Sequence, residues 1–280
     1  MQRYERDRLT FDVRDAGPPD GPVVVLLHGF PQRNDSWSAV IDRLTAAGYR
    51  CLAPNQRGYS PGARPPHRRD YRMAELVADV GALIDASGAA RVHLVGHDWG
   101  AAVAWNVAAE LPDRLASVAP VSVPHPAAFV NALFTSRQGL ASWYMAFFQL
   151  PWLPEWLMTR GGVAATAAAL RRTGLTAAGA DRDAQAMAEP GALTGGLNWY
   201  RGLPLSNLRD AARSVAVPAM YVWSDDDFAL LGKAARNTVR HVDADYRFEV
   251  LPGASHWIPD TRPDALADLL LDWFAAHPAG

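Results

Sequence analysis

The chain has 280 residues, of which 49% are hydrophobic and 20% charged, with 27 Lys and Arg against 29 Asp and Glu for a formal charge of −2. Such a composition excludes a disordered, collagen-like or coiled-coil chain, and near-neutrality gives no electrostatic reason to bind nucleic acid or an anionic membrane. The single cysteine, Cys51, excludes an internal disulfide framework and a Cys-based zinc site and suits a reducing cytoplasm.

The N-terminal segment has no apolar core of a signal peptide, and the apolar run at 23–27 is far shorter than the roughly 20 residues of a membrane span. Residues 9–13, Leu-Thr-Phe-Asp-Val, alternate with period two and predict a half-exposed strand. Val-Val-Val-Leu-Leu at 23–27 predicts a strand buried on both faces. Trp37, Val40, Ile41 and Leu44 follow helical spacing, and 51–53 is a short strand candidate. Met73, Leu76, Val77, Val80 and Ile84 form the stripe of a second helix, with Asp70 as its expected N-cap. A strand at 92–95, a helix at 101–111 stopped by Pro112 and a strand at 118–123 follow. Two late strands, 219–223 and 248–251, each run into a turn. The last helix is expected to be capped near Thr261, with Pro263 in its first turn and Leu266, Leu269, Leu270, Trp273 and Phe274 buried. Strands alternating with helices mean a mainly parallel sheet covered by helices on both faces.

Residues 125–210 break that rhythm. They are rich in Ala, Gly and Trp, contain helix-like pieces at 142–149 and 163–172, and hold no convincing strand. Both ends adjoin strand candidates. The organisation expected is therefore one α/β core, 1–124 and 211–280, with a helical lid inserted between two strands of one sheet. A separate helical domain is the alternative.

The sharpest chemical signal is Val95-Gly96-His97-Asp98-Trp99-Gly100, between a strand and an Ala-rich helix. Small-x-nucleophile-x-small in that context is a nucleophile elbow. The middle residue here is Asp98 rather than serine. A carboxylate needs no deprotonation at neutral pH but does need an electrophile with which it can form an ester. Displacement at an sp³ carbon fits that better than hydrolysis of a peptide or ester. His28-Gly29-Phe30-Pro31 follows the first buried strand, at the sheet's carboxyl edge where ligands bind. The backbone N–H groups of Phe30 and Trp99 can together form an oxyanion hole, while the His28 side chain reads as packing. His256, after the strand at 248–251, suits a base in the order nucleophile, acid, base. His97 reads as structural. The orienting acid must come from Asp225, Asp226 and Asp227, with Asp227 preferred and Asp226 second.

At this point the chain resembles the epoxide hydrolases of the α/β-hydrolase fold. The likeness rests on His28-Gly29-Phe30-Pro31, Gly96-His97-Asp98-Trp99-Gly100, Ser224-Asp225-Asp226-Asp227-Phe228 and Ser255-His256-Trp257, and extends through the lid. Within the lid, 142–151 and 197–201 resemble the two segments that carry that family's ring-opening tyrosines, which would here be Tyr144 and Tyr200. The resemblance implies a detoxifying hydrolase that turns an apolar epoxide into a vicinal diol. It implies no metal or organic cofactor and no nucleic-acid or membrane partner, in a cytoplasmic monomer or homodimer. His28, Pro31, Trp143, Phe148, Trp199 and Trp257 would wall the pocket. A dehalogenase of the same fold, or a non-catalytic small-molecule binder, are the alternatives. Ser224, Ser255 and Asn55 stand where the family pattern usually has glycine, glycine and an acid.

Overall fold

The computed structural model describes residues 1–207 and 213–279. A hairpin of β1 (Arg3–Arg6) and β2 (Leu9–Ala16) opens the chain, followed by β3 (Val23–Leu27), α1 (Ser38–Ala46) and β4 (Arg50–Pro54). Next come α2 (Met73–Ser87), β5 (Val92–His97), α3 (Trp99–Glu110) and β6 (Leu115–Val121). One eight-stranded sheet results, in the order β1-β2-β4-β3-β5-β6 and then the two late strands. β1 pairs with β2, and β2 with β4, antiparallel; every other pairing is parallel. β1 escaped the sequence reading because only Tyr4 of its four residues points inward, where it stacks on Phe11 at 4.6 Å. Its three charged residues suit an exposed sheet edge.

The all-apolar β3 serves two cores at once. Val25 and Leu27 face α2 and α3, while Val24 and Leu26 face α1 and the C-terminal helix. Successive strand residues point to opposite faces, so a strand covered on both sides must be apolar throughout.

Between β6 and the next strand the described residues form seven α-helices. They are α4 (Pro126–Thr135), α5 (Gln138–Ala141), α6 (Trp143–Phe147), α7 (Leu153–Thr159), α8 (Gly162–Arg172), α9 (Ala177–Met187) and α10 (Ala192–Gly202). The expected boundary at 210/211 lies outside the described residues. The core then resumes with β7 (Ala219–Ser224), α11 (Gly232–Asn237), β8 (Tyr246–Leu251), α12 (Ile258–Thr261) and α13 (Pro263–Ala276). β6 and β7 are parallel neighbours, so both ends of the insertion leave from adjacent strands. No helix among the described residues is long and apolar enough to cross a membrane.

Two expected caps are corrected. Asp70 lies inside the turn Arg68–Tyr71; Arg72 precedes α2 in extended backbone, and the Met73 N–H is satisfied by Ser206 Oγ at 2.9 Å. Thr261 closes α12, and Arg262 precedes α13, whose first residue is Pro263.

Candidate active site

At the end of β5 the chain turns into α3 through Asp98, whose φ of 51° and ψ of −119° are a strained backbone for a residue with a side chain. The flanking glycines explain why the turn closes. A Cβ on Gly96 would strike the Gly100 carbonyl, and one on Gly100 would strike that of Leu27. Gly29 is similarly compelled, because a Cβ there would collide with the Asp98 side chain.

The Asp98 carboxylate stands between two partners. Its Oδ1 accepts from the Phe30 N–H at 2.8 Å, and its Oδ2 lies 3.5 Å from His256 Nε2. Trp99 is the first residue of α3, and the first-turn N–H groups of a helix lack intrahelical acceptors. On its other side the His256 ring donates from Nδ1 to Asp227 Oδ2 at 2.7 Å. Asp227 is itself fixed, since its Oδ1 accepts from the N–H groups of Ala229 and Leu230 at 2.8 and 2.9 Å. Of the three consecutive aspartates, Asp225 instead accepts from the Gly253 N–H at 2.7 Å, and Asp226 is exposed. The His256 carbonyl accepts from Ser122 Oγ and lies 2.9 Å from His97 Nε2. Ser224 Oγ donates to the Ser255 carbonyl at 3.1 Å, so hydroxyls at the ends of β6 and β7 hold the loop. Ser122, at φ 69°, was missed from sequence, because its role depends on strained backbone that no residue pattern reveals.

Charge is shared unevenly along this line. Burial works against an ionised Asp98, but the hydrogen bond and charge of His256 outweigh it and hold the carboxyl below its ordinary pKa. Burial likewise opposes a charged His256, yet the two flanking carboxylates raise it to about 10. Both shifts favour an ion pair between Asp98 and the His256 ring.

Tyr144 on α6 and Tyr200 on α10 come together from opposite ends of the insertion. Their rings meet edge to face at 6.1 Å, with Phe148 4.9 Å from Tyr200 and 5.7 Å from Tyr144. Tyr200 also meets Phe30 at 5.5 Å and Trp99 at 4.9 Å, which seats it on the two loops that hold Asp98. Burial, and then the negative charge of Asp98, push both phenol pKa values up, so both remain protonated donors. α10 reaches this position through glycine. The Cβ of an alanine at Gly195 would strike Gly58 O, and one at Gly196 would lie 2.9 Å from the Phe30 ring. Two consecutive glycines inside a helix cost about 1 kcal/mol each relative to alanine, and the close approach of α10 to the core accounts for them.

Four of the six expected pocket residues need correcting. His28 is fully buried and faces away, with its Nε2 accepting from the Gln56 N–H at 3.1 Å and its ring edge-on to Tyr59; it ties two loops together. Trp143 is 66% exposed, because its neighbour Tyr144 faces inward and adjacent helix positions point in different directions. Trp199 is buried beneath, with its Nε1 donating to Arg57 O at 2.7 Å. Trp257 packs edge-on to His256 at 5.2 Å but donates its Nε1 to Thr173 Oγ1, so it joins the His256 loop to the α8–α9 connection. Phe148 packs among the two tyrosines and Phe30, and Pro31 follows Phe30 through a cis peptide bond.

That loop is stitched to the insertion at further points. Ser255 Oγ donates to Gly174 O, Arg182 on α9 pairs with Asp260, and Gln32, which donates to Asp260 at 2.6 Å, also reaches Asp183 on α9 at 3.3 Å.

The alpha/beta hydrolase fold family model matches residues 22–263. An AB hydrolase superfamily protein of Bacillus subtilis is 36% identical over 95% of this chain and 94% of its own length. Epoxide hydrolase A of Mycobacterium tuberculosis is 34% identical over 93% of this chain and 92% of its own length. A crystal structure of epoxide hydrolase A from Mycobacterium thermoresistibile superposes with a TM-score of 0.84 at 29% identity, covering 98% of this chain and 97% of the other. The chain belongs to the epoxide hydrolases of the α/β-hydrolase fold.

Proposed function

We propose that the chain converts an apolar epoxide to a vicinal diol in two covalent steps, with the insertion as a lid over the site. An Asp98 oxygen attacks one ring carbon, the carbon–oxygen bond breaks, and the developing alkoxide takes a proton from Tyr144 or Tyr200. The observation that carries this reading is the convergence of two protonated phenols with a carboxylate held ionised between His256 and the Phe30 N–H. Forming the ester removes the negative charge of Asp98. His256 then keeps one carboxylate partner instead of two, its pKa falls, and the proton it loses balances the one the phenol gave up. The neutral ring, oriented by Asp227, takes a proton from water as the water oxygen attacks the Asp98 carbonyl carbon. The Phe30 and Trp99 N–H groups stabilise the resulting oxyanion; as it collapses, the bond to the product oxygen breaks, the departing alkoxide takes the proton of the newly formed Asp98 carboxyl group, and the diol leaves with the Asp98 carboxylate and the protonated His256 restored. No metal or organic cofactor takes part in these steps.

Oxygen tracing tests this route. In one turnover in ¹⁸O water, the diol should carry the unlabelled Asp98 oxygen and the label should appear in the protein. Labelled diol in the first turnover overturns the ester. His256→Gln should still open the ring and then stall, giving by intact-protein mass spectrometry an adduct of protein plus substrate. Halide release from a haloalkane without diol formation from an aryl epoxide would favour the dehalogenase alternative.

A further inference from the structure

One sizeable concavity among the described residues does not lie over Asp98. It is a cleft of about 800 Å³ at the seam where the turn after Ala63 meets α10 and the start of α7, within the size range of small-molecule sites. Its wall is the outer side of α10. Thr194, Asn198 and Arg201 face the cleft, while Tyr200, on the same helix, faces the catalytic residues.

Three features of the cleft point one way. Its lining holds four basic side chains, His67, Arg68, Arg69 and Arg201, and no Asp or Glu, in a chain whose formal charge is −2. Arg201 is already occupied by Glu155 at 2.7 Å. Among the described residues Arg69 pairs only with Asp70, at 3.9 Å, and Arg68 makes no ion pair. Second, Pro66, Pro151, Leu205 and Trp152 give the cleft an apolar part, beside the neutral polar side chains of Gln149, Thr194 and Asn198. Third, Trp152 is 70% exposed and stands at φ 52°, a backbone conformation that is costly for a bulky residue. An indole held out in strained backbone at a cleft rim is an outlier that calls for a ligand-facing explanation.

We propose that this cleft is a second binding site, separate from the catalytic cavity, for a small organic anion with an apolar or aromatic body. The anionic head meets Arg68 and Arg69, whose guanidinium groups suit a carboxylate or sulfonate. The body lies against Trp152 and the two prolines. The proposal does not depend on the catalytic mechanism.

The test is calorimetric titration of the intact protein with 4-phenylbutyrate and with its neutral counterpart 4-phenylbutanol. The carboxylate should bind more tightly, and more weakly as salt rises. Arg68→Ala combined with Arg69→Ala should weaken phenylbutyrate about tenfold or more, the size of a lost charge-assisted contact, while leaving phenylbutanol unchanged. Trp152→Ala should weaken both ligands. All three side chains are exposed, so the variants should keep the parent circular dichroism. Failure of phenylbutyrate to bind at millimolar concentration overturns the proposal, as does unchanged affinity in the double-arginine variant. An affinity that moves instead with Asp98→Asn assigns the ligand to the catalytic cavity and equally overturns it.

Discussion

Asp98 is held by a backbone that few side chains tolerate, by one N–H donor and by one imidazole. The tyrosines differ from it in being shaped by packing as well as chemistry, and that makes them separable by mutation. Replacing either hydroxyl with hydrogen, in Tyr144→Phe or Tyr200→Phe, leaves the ring contacts with Phe148 in place. Stability should therefore change little. The alkoxide loses one donor, for which lost oxyanion donors suggest about 2–4 kcal/mol of barrier. Rapid-quench measurement of ester formation should show a loss of roughly 30- to 1000-fold at ~1.4 kcal/mol per decade. Hydrolysis of preformed ester should hardly change; parent rates of ester formation in both variants would reduce the phenols to packing. At this scale the sequence was informative where the local turn dictates chemistry. Asp98 and His256 each sit in a short turn after a strand, and such turns can be read from their own residues. The partner of His256 was legible only as one of three aspartates, because selection depends on which one faces the N–H groups of Ala229 and Leu230. Trp143 and Tyr144 were equally legible as aromatic and equally mute about direction.

Among the elements, α10 ties core geometry to chemistry most directly. It touches the Gly58 turn backbone to backbone, and five residues later it presents Tyr200. Gly195→Ala inserts one methyl into that contact. The helix must move outward, with overpacking costing about 1–3 kcal/mol in urea denaturation. A displacement approaching 1 Å at Tyr200 should cost the ring-opening rate ~100-fold, more than its stability loss alone implies. An unchanged rate in a destabilised but folded variant would show that Tyr200 position is not set by this contact. The core strands and helices were readable because alternation and helical stripes report burial directly. The insertion was readable as helical but not helix by helix. Pieces such as Gln138–Ala141 and Trp143–Phe147 are too short to show a period. In Ala192–Gly202, contact with the core overrides the poor helix propensity of its glycines.

For the molecule as a whole, buried histidines set the response to acid. His28, His93, His97 and His125 are desolvated, and burial lowers them to about 3, 4, 4 and 3 from 6.5. A group whose folded pKa is depressed in this way binds fewer protons folded than unfolded, so stability falls as pH drops below 6.5 toward the folded value. Between pH 7 and pH 5 each histidine should remove roughly 2 kcal/mol, on the order of a whole domain's stability for the four together. His256 acts in the opposite sense. Its folded pKa is raised, so its contribution is complete below 6.5 and is lost as pH rises toward about 10. Thermal or urea unfolding followed from pH 4.5 to 10 should give a maximum near neutrality, with the steeper flank on the acid side. A flat profile between pH 7 and 5 would mean that these rings accept protons without unfolding.

The insertion leaves β6 and returns to β7, and those strands lie side by side and parallel. A tight turn can join antiparallel neighbours, but parallel ones require the chain to travel back along the whole sheet, which takes a dozen residues or more. The segment that brings Tyr144 and Tyr200 together beside Phe30 and Trp99 is thus also the return path without which β6 and β7 could not share a sheet. Trimming it has a floor set by topology rather than by chemistry. A shortened chain could discard most of the inserted helices and remain a sheet, provided some crossover survived. Joining β6 to β7 by a hairpin-length linker would leave the C-terminal third of the core, and with it Asp227 and His256, with no route to their places.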